Sequence, residues 1–442
     1  MKLIVTAPFL AASLLAANTA STTTFYKDVL PVFQRNCQNC HRPGEAAPMS
    51  LLTYESARPW AKAIKTAVAS RKMPPWYADP AHGKFANDAR LAEADIATLA
   101  RWADSGAPAG DKKDAPKPRE FADGWLIGKP DVILEMPQAF DVATAGTIDY
   151  QYVRIPTGFT EDRWVQFAEA RPEDRAHVHH IIAFIREAGS PFMQDLPEGV
   201  PTTAGQLHEI AKKSGKSNRR DGGASFADMV AGFAPGTPPL VLKPGQAKLV
   251  KAGSDIIFQM HYTPNGKPGR DKSRLGMVFA KEPPTHRVVS LASGNEKFEI
   301  PPQDPNFRVE SSFTVQSEAR LVSLLPHMHL RGKSFEYRAV YPSGETEVLL
   351  RVPKYDFNWQ LWYELAGEKV LPAGTKIDCT AYFDNSPNNP ANPDPSKAIR
   401  FGEQSWDEMM LGFFDVAIPV NVKPADLMRP TKQQKQEKPS AD

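Results

Sequence analysis

Cysteine is scarce in this chain: Cys37, Cys40 and Cys379 are the three in 442 residues. That scarcity excludes a disulfide framework as the source of the fold's stability. Long apolar runs are also missing. The longest, Leu3–Ala17, falls short of the roughly 20 residues a membrane helix needs. Lys2 precedes it and a cleavage position near Ala20 or Ser21 follows, so residues 1–20 read as a secretory signal peptide. The expected location is the periplasm or outside the cell, with no membrane span. Charge of one sign is lacking too. The chain has 53 Lys and Arg against 51 Asp and Glu, a net charge of +2, so nothing points to nucleic acid.

Proline, by contrast, is plentiful at 41 residues. It breaks helix interiors, so the composition favours loop-rich, β-rich architecture over helix bundles. A chain of this length suggests about three domains.

Cys37-Gln38-Asn39-Cys40-His41 is the strongest local signal. C-x-x-C-H is the attachment signature of c-type haem, with two thiols bonded to the porphyrin and His41 as proximal iron ligand. A zinc site would need further ligands nearby, and there is no second cysteine pair. Ala57, Trp60, Ile64 and Val68 recur at helical spacing, as do Ala94, Ile96, Leu99, Ala100 and Trp102 before Gly106. Residues 22–110 therefore read as a small all-α domain. Met73, in the proline-stiffened run Met73-Pro74-Pro75-Trp76, is the first choice for the second axial ligand, and Met49 competes with it.

Residues 111–124 read as a linker, and short alternating segments between Pro, Gly and Asn clusters follow it. Ile256, Phe258, Met260 and Tyr262 alternate with Ile257, Gln259 and His261. On a regular strand, Leu321, Ser323, Leu325, His327 and His329 would share a face. Two β-domains are predicted, 125–284 and 285–422, with a polar, disordered tail over 423–442.

Six of the ten histidines fall in three short stretches: His177, His179 and His180; His261; His327 and His329. An isolated strand histidine is ordinarily a core or edge residue. Three clusters suggest metal ligation instead, because His-x-His on a strand aims two imidazoles at one side.

These stretches resemble the copper type II, ascorbate-dependent monooxygenases, the family of the peptidylglycine α-hydroxylating and dopamine β-monooxygenases. The resemblance implies two jelly-roll-like sandwich domains with one copper each. His179, His180 and His261 match the ligands of the electron-transferring copper. His327, His329 and Met409, the last within Asp407-Glu408-Met409, match those of the oxygen-activating copper. Residues 22–110 are similar to cytochrome c domains found fused to other proteins. Adjacent residues on a regular strand face opposite ways, so joining His179 and His180 requires a bulge or twist. His177, on the same face as His179, stands as alternative ligand or supporting partner. Met410 likewise opposes Met409, and the resemblance selects Met409.

The chain departs from the family in having no disulfides. Leu325 stands where peptide-hydroxylating members carry a carboxylate-binding Arg, and Phe413 where they carry a substrate-binding Tyr. These changes imply an uncharged or aromatic small molecule rather than a glycine-extended peptide. The expected activity is hydroxylation of a C–H bond with O2, using electrons from ascorbate or a periplasmic redox protein, relayed through one haem c and two coppers. The competing expectation is a non-catalytic electron carrier or copper-binding protein on the same scaffold.

Overall fold

A computed structural model describes residues 22–45, 47–121, 124–213 and 228–428. The proposed signal peptide 1–20 lies outside the described residues, as does the tail beyond Met428. Strand dominates and helices are few. None of the described helices is long and apolar enough to cross a membrane.

Apart from Ala204–Lys213, which lies between two strands of the first β-core, the described α-helices gather near the N-terminus. Leu30–Asn36, Tyr54–Ala57, Ala61–Ala69 and Glu93–Asp104 enclose a core of Phe25, Phe33, Ile64, Val68, Leu99 and Trp102. The helical spacing predicted for Ala57, Ile64 and Val68 corresponds to buried positions. Trp60 does not follow it and is 43% exposed, because a 3-10 turn at Arg58–Trp60 interrupts the register.

Two findings revise the boundaries drawn from sequence. Residues 76–89 do not stay with the helices. Trp76 stands edge-on to Tyr363 with ring centroids 4.9 Å apart, and the Asn87 side chain donates to the Trp362 carbonyl at 2.7 Å. Large aromatic surface gains most where it is fully covered, and the β-core offers that cover. The linker 111–124 is also not free over its first part. Arg119 donates to the Gln34 carbonyl at 2.7 Å, and the Gln34 side chain donates to that of Lys117 at 2.9 Å.

The strands form two sheet-on-sheet cores. In the first, the strands Gln151–Pro156, Asp255–Tyr262, Val178–Arg186 and Asp228–Phe233 form one four-stranded sheet. Val153, Ile181, Ile256, Phe258, Met260 and Tyr262 bury against a facing sheet. The alternation predicted over 256–262 matches this, with His261 on the other face. The second core lies between Phe307–Val315, Thr375–Phe383, Gly332–Val340 and Thr346–Val352 on one side, and the sheet holding Ala319–His327 and Leu411–Pro419 on the other. A parallel pairing of Gln246 and Ala247 with His286 and Arg287 makes one sheet run through both cores. The Pro283-Pro284 junction therefore separates two cores without interrupting that sheet.

The strand Ala319–His327 corrects one expectation. Its register shifts between Leu321 and Ser323. That bulge reverses the parity, so Leu321 and Leu324 enter the second core while Leu325 turns to the opposite side. The first residues of the predicted tail are ordered: Pro424–Leu427 is a 3-10 turn with Leu427 fully buried, and Gln316 donates its amide to the Leu427 carbonyl at 2.9 Å.

Candidate metal centre

His179 and His180 lie at the start of the strand Val178–Arg186, where its register with Asp255–Tyr262 shifts. Val178 faces Tyr262 and His180 faces His261, so one residue is extra on the histidine strand. This is the bulge that an adjacent pair requires. It turns His179 and His180 to the same side as His261. Ligand atoms from the three side chains all lie within 4.8 Å of one another. The Nε2 atoms of His179 and His180 and the Nδ1 of His261 are buried without a hydrogen-bond partner. A buried polar atom left unpaired costs about 1–3 kcal/mol, and three clustered imidazoles that each carry one fit a metal ion that favours imidazole.

His177 is placed differently. Its Nδ1 lies 2.7 Å from Asp174 Oδ2 and its Nε2 3.1 Å from the Lys267 carbonyl. With both ring nitrogens engaged, His177 is excluded as a ligand and instead anchors the loop leading to His179.

The second pair lies at the end of Ala319–His327. The rings of His327 and His329 are 5.2 Å apart and perpendicular. Met328 between them is fully buried in the second core. Tyr355 pins it, accepting the Met328 amide at 3.2 Å and donating to its carbonyl at 2.9 Å. Gly332 allows this packing, since a Cβ there would lie 2.7 Å from that of Met328. His327 Nδ1 is 2.8 Å from Gln360 Oε1, which orients the ring as a supporting partner of a metal ligand would. The carbonyls of Asp407 and Gln404 approach the His329 ring, but neither ring nitrogen reaches hydrogen-bond geometry.

Glu408 organises this corner. Its carboxylate accepts the amides of His329 at 2.9 Å, Arg331 at 2.6 Å and Met409 at 3.3 Å. Burial pushes the carboxyl up to about 8, opposed by those amides and by Arg331. Met410 is fully buried in the second core, its sulfur accepting from Ser311 at 3.4 Å. Met409 faces the other way, into an apolar cluster with Ile182, Met229, Leu325, Trp362 and Phe413. The two residues that depart from the peptide-hydroxylating pattern, Leu325 and Phe413, thus line the surroundings of Met409.

Phe357 joins the two groups of histidines. It stacks on His179 at 5.2 Å and 17°, and meets His329 edge-on at 6.0 Å and 82°. No feature of the sequence marks it, because a lone aromatic in a turn is ordinary. Burial sets the charge state of the whole chamber. It lowers His179 to about 4, opposed by Asp356, and lowers His261 to about 3 and His327 to about 4. His180 and His329 fall well below the ordinary value by burial and by the neighbouring imidazoles. Neutral imidazole is the metal-binding form.

In the helical part, Cys37 and Cys40 follow the helix Leu30–Asn36. Burial, then Cys40 and Asp95, pushes the Cys37 thiol up to about 12. A redox dithiol requires the opposite shift. The Met49 carbonyl lies 3.3 Å from His41 Nδ1, leaving the other ring nitrogen to a ligand. The Met73 amide is tied to the Ala67 carbonyl at 3.2 Å, where the chain leaves toward the second β-core.

No family model and no curated protein matches this chain. Among solved structures it has similarity to "Structure of infectious bursal disease virus Gx strain", at 9% identity over 70% of this chain and 77% of that one, with a TM-score of 0.17. A second is "Crystal structure of infectious bursal disease virus VP2 subviral particle", at 9% identity over 68% and 74%, with a TM-score of 0.18. Likeness at that level carries no argument about fold or function.

Proposed function

We propose that this chain is an exported copper- and haem-dependent monooxygenase, similar to the ascorbate-dependent copper hydroxylases and preceded by a cytochrome c domain. The observation that carries the reading is the gathering of His179, His261 and His329 around Phe357, with His180 beside His261 and His327 beside His329, and with ring nitrogens of His179, His180, His261 and His329 left unpaired. His179, His180 and His261 would hold one copper, and His327, His329 and Met409 the other. Three imidazoles suit an ion that shuttles one electron, while a thioether favours the cuprous state that meets O2. Cys37 and Cys40 would carry the haem, with His41 as proximal ligand and Met73 as the second axial ligand. Copper supplies one-electron chemistry with O2, and haem supplies storage and relay of electrons.

The chain's own residues supply position and environment. Gln360 fixes the His327 ring. Glu408 holds the backbone on which His329 and Met409 sit. The apolar cluster around Met409 lowers polarity where substrate would lie, and its Leu325 and Phe413 present no charge to a substrate carboxylate. A small, uncharged or aromatic substrate follows from that lining, with an external donor such as ascorbate or a periplasmic redox protein.

Metal and haem analysis of the exported, copper-reconstituted protein tests the reading. Two coppers and one haem per chain are expected. A protein that takes up no copper after reconstitution overturns it.

A further inference from the structure

Glu45, four residues after His41, accepts from two arginines: Arg42 at 2.9 Å, from its own loop, and Arg175 at 2.5 Å, from the first β-core. Glu45 and both arginines have side chains less than one-fifth exposed. An ion pair so enclosed is screened less than a surface pair and holds a defined geometry. Arg42 also lies over the Phe121 ring at 4.4 Å, and Arg175 over the Phe233 ring at 5.5 Å. Glu169 and Arg171 are the other charges close to Arg175.

The loop bearing Arg175 is tethered by hydrogen bonds. The fully buried Asp271 accepts the amides of Glu173 and Asp174 on one oxygen, and the hydroxyls of Tyr262 and Ser273 on the other. Asp174 in turn holds His177 and the Ala176 amide. Three residues lie between Arg175 and His179, so the two are at most about 14 Å apart along the chain.

We infer that Arg42, Glu45 and Arg175 form a clamp that docks the haem-attachment loop onto the loop leading to His179, and so fixes the distance between the haem and the three-histidine centre. The inference rests on the haem and copper assignments above. With both groups bound, the step the clamp serves would be a single-electron transfer from ferrous haem to the cupric ion of that centre, with no bond made or broken. Glu45, Arg42 and Arg175 are positioning residues, since none ligates either group.

The test compares wild type with Glu45→Gln and Arg175→Lys in the full-length, haem-bearing protein. Hydrogen exchange over residues 37–51 and 172–177 reports docking whether or not copper is present. It should quicken in Glu45→Gln and stay near wild type in Arg175→Lys, which keeps the charge. In copper-loaded protein, haem-to-copper transfer after flash reduction should slow about tenfold or more in Glu45→Gln, in line with the sensitivity of reacting geometry to small displacements. The haem spectrum and metal content should not change. Wild-type exchange and wild-type transfer in Glu45→Gln would overturn the clamp while leaving the cofactor assignments intact. Absence of haem or copper from the wild type would instead overturn the underlying reading. Should Glu45→Gln fail to fold, Arg175→Gln replaces it under the same criteria.

Discussion

Phe357 lies parallel to His179, with ring centroids 5.2 Å apart and planes 17° from each other. Its edge meets His329 of the other histidine group. One side chain thus separates two prospective metal centres whose ligands come from opposite β-cores. Replacing it with alanine should leave copper content unchanged and alter the paramagnetic resonance of both coppers. Because Phe357 is only partly buried, the stability loss should be about 2–3 kcal/mol, under the 3–5 typical of a fully buried Phe→Ala. Resonance spectra identical to wild type would remove Phe357 from the site.

His177 and His180 should behave in opposite ways. His180→Ala should reduce copper from two to one per chain. His177→Ala should retain both coppers but lose about 1–3 kcal/mol, because Asp174 is left without its partner. Metal analysis and denaturant melts separate the two effects. Loss of copper in His177→Ala would contradict the placement of its ring.

The copper-free protein should be sensitive to acid. In the folded state burial lowers His179 and His327 to about 4 and His261 to about 3. Unfolded imidazoles take up protons near 6.5. Below that value the unfolded chain binds more protons than the folded one, so stability falls with pH. The loss should run from about pH 6.5 down towards pH 3, and copper should reduce it by competing with protons. Thermal melts of copper-free and copper-loaded protein across that window check both. A flat profile for the copper-free protein would show that these imidazoles titrate normally.

The axial ligand is open to a direct comparison. Met73→Ala should abolish the sulfur-to-iron charge-transfer band of the oxidised haem, while Met49→Ala keeps it. The reverse result would move the ligand to Met49, whose carbonyl already lies beside His41.

Much of the site was legible in the sequence. Adjacent histidines cannot share a face of a regular strand, so the pair at 179 and 180 implied a bulge, and the register shift lies there. The alternation over 256–262 assigned the core face and put His261 opposite it. The opposed directions expected of Met409 and Met410 correspond to two different apolar clusters, although both residues precede the strand Leu411–Pro419. The same reasoning failed at 321–325. A bulge inside a strand leaves no mark in an apolar run when both faces are buried. It failed again at 76–89, where aromatic residues next to a helical segment gave no sign of which core would cover them.

What the sequence by itself determined is therefore chemical and local: which residue types occur at which spacing, and what each pair could do on a strand or in a loop. The identity of the imidazoles, the C-x-x-C-H motif and the strand periodicity belong to this level. Only the tertiary structure decided which groups meet. It brought Phe357 between two histidine clusters, engaged both nitrogens of His177 and joined Glu45 to Arg175 across 130 positions. The physical reason is that such contacts depend on how whole sheets and loops pack to exclude water. That packing is set by many distant residues together, and no short window of sequence contains it.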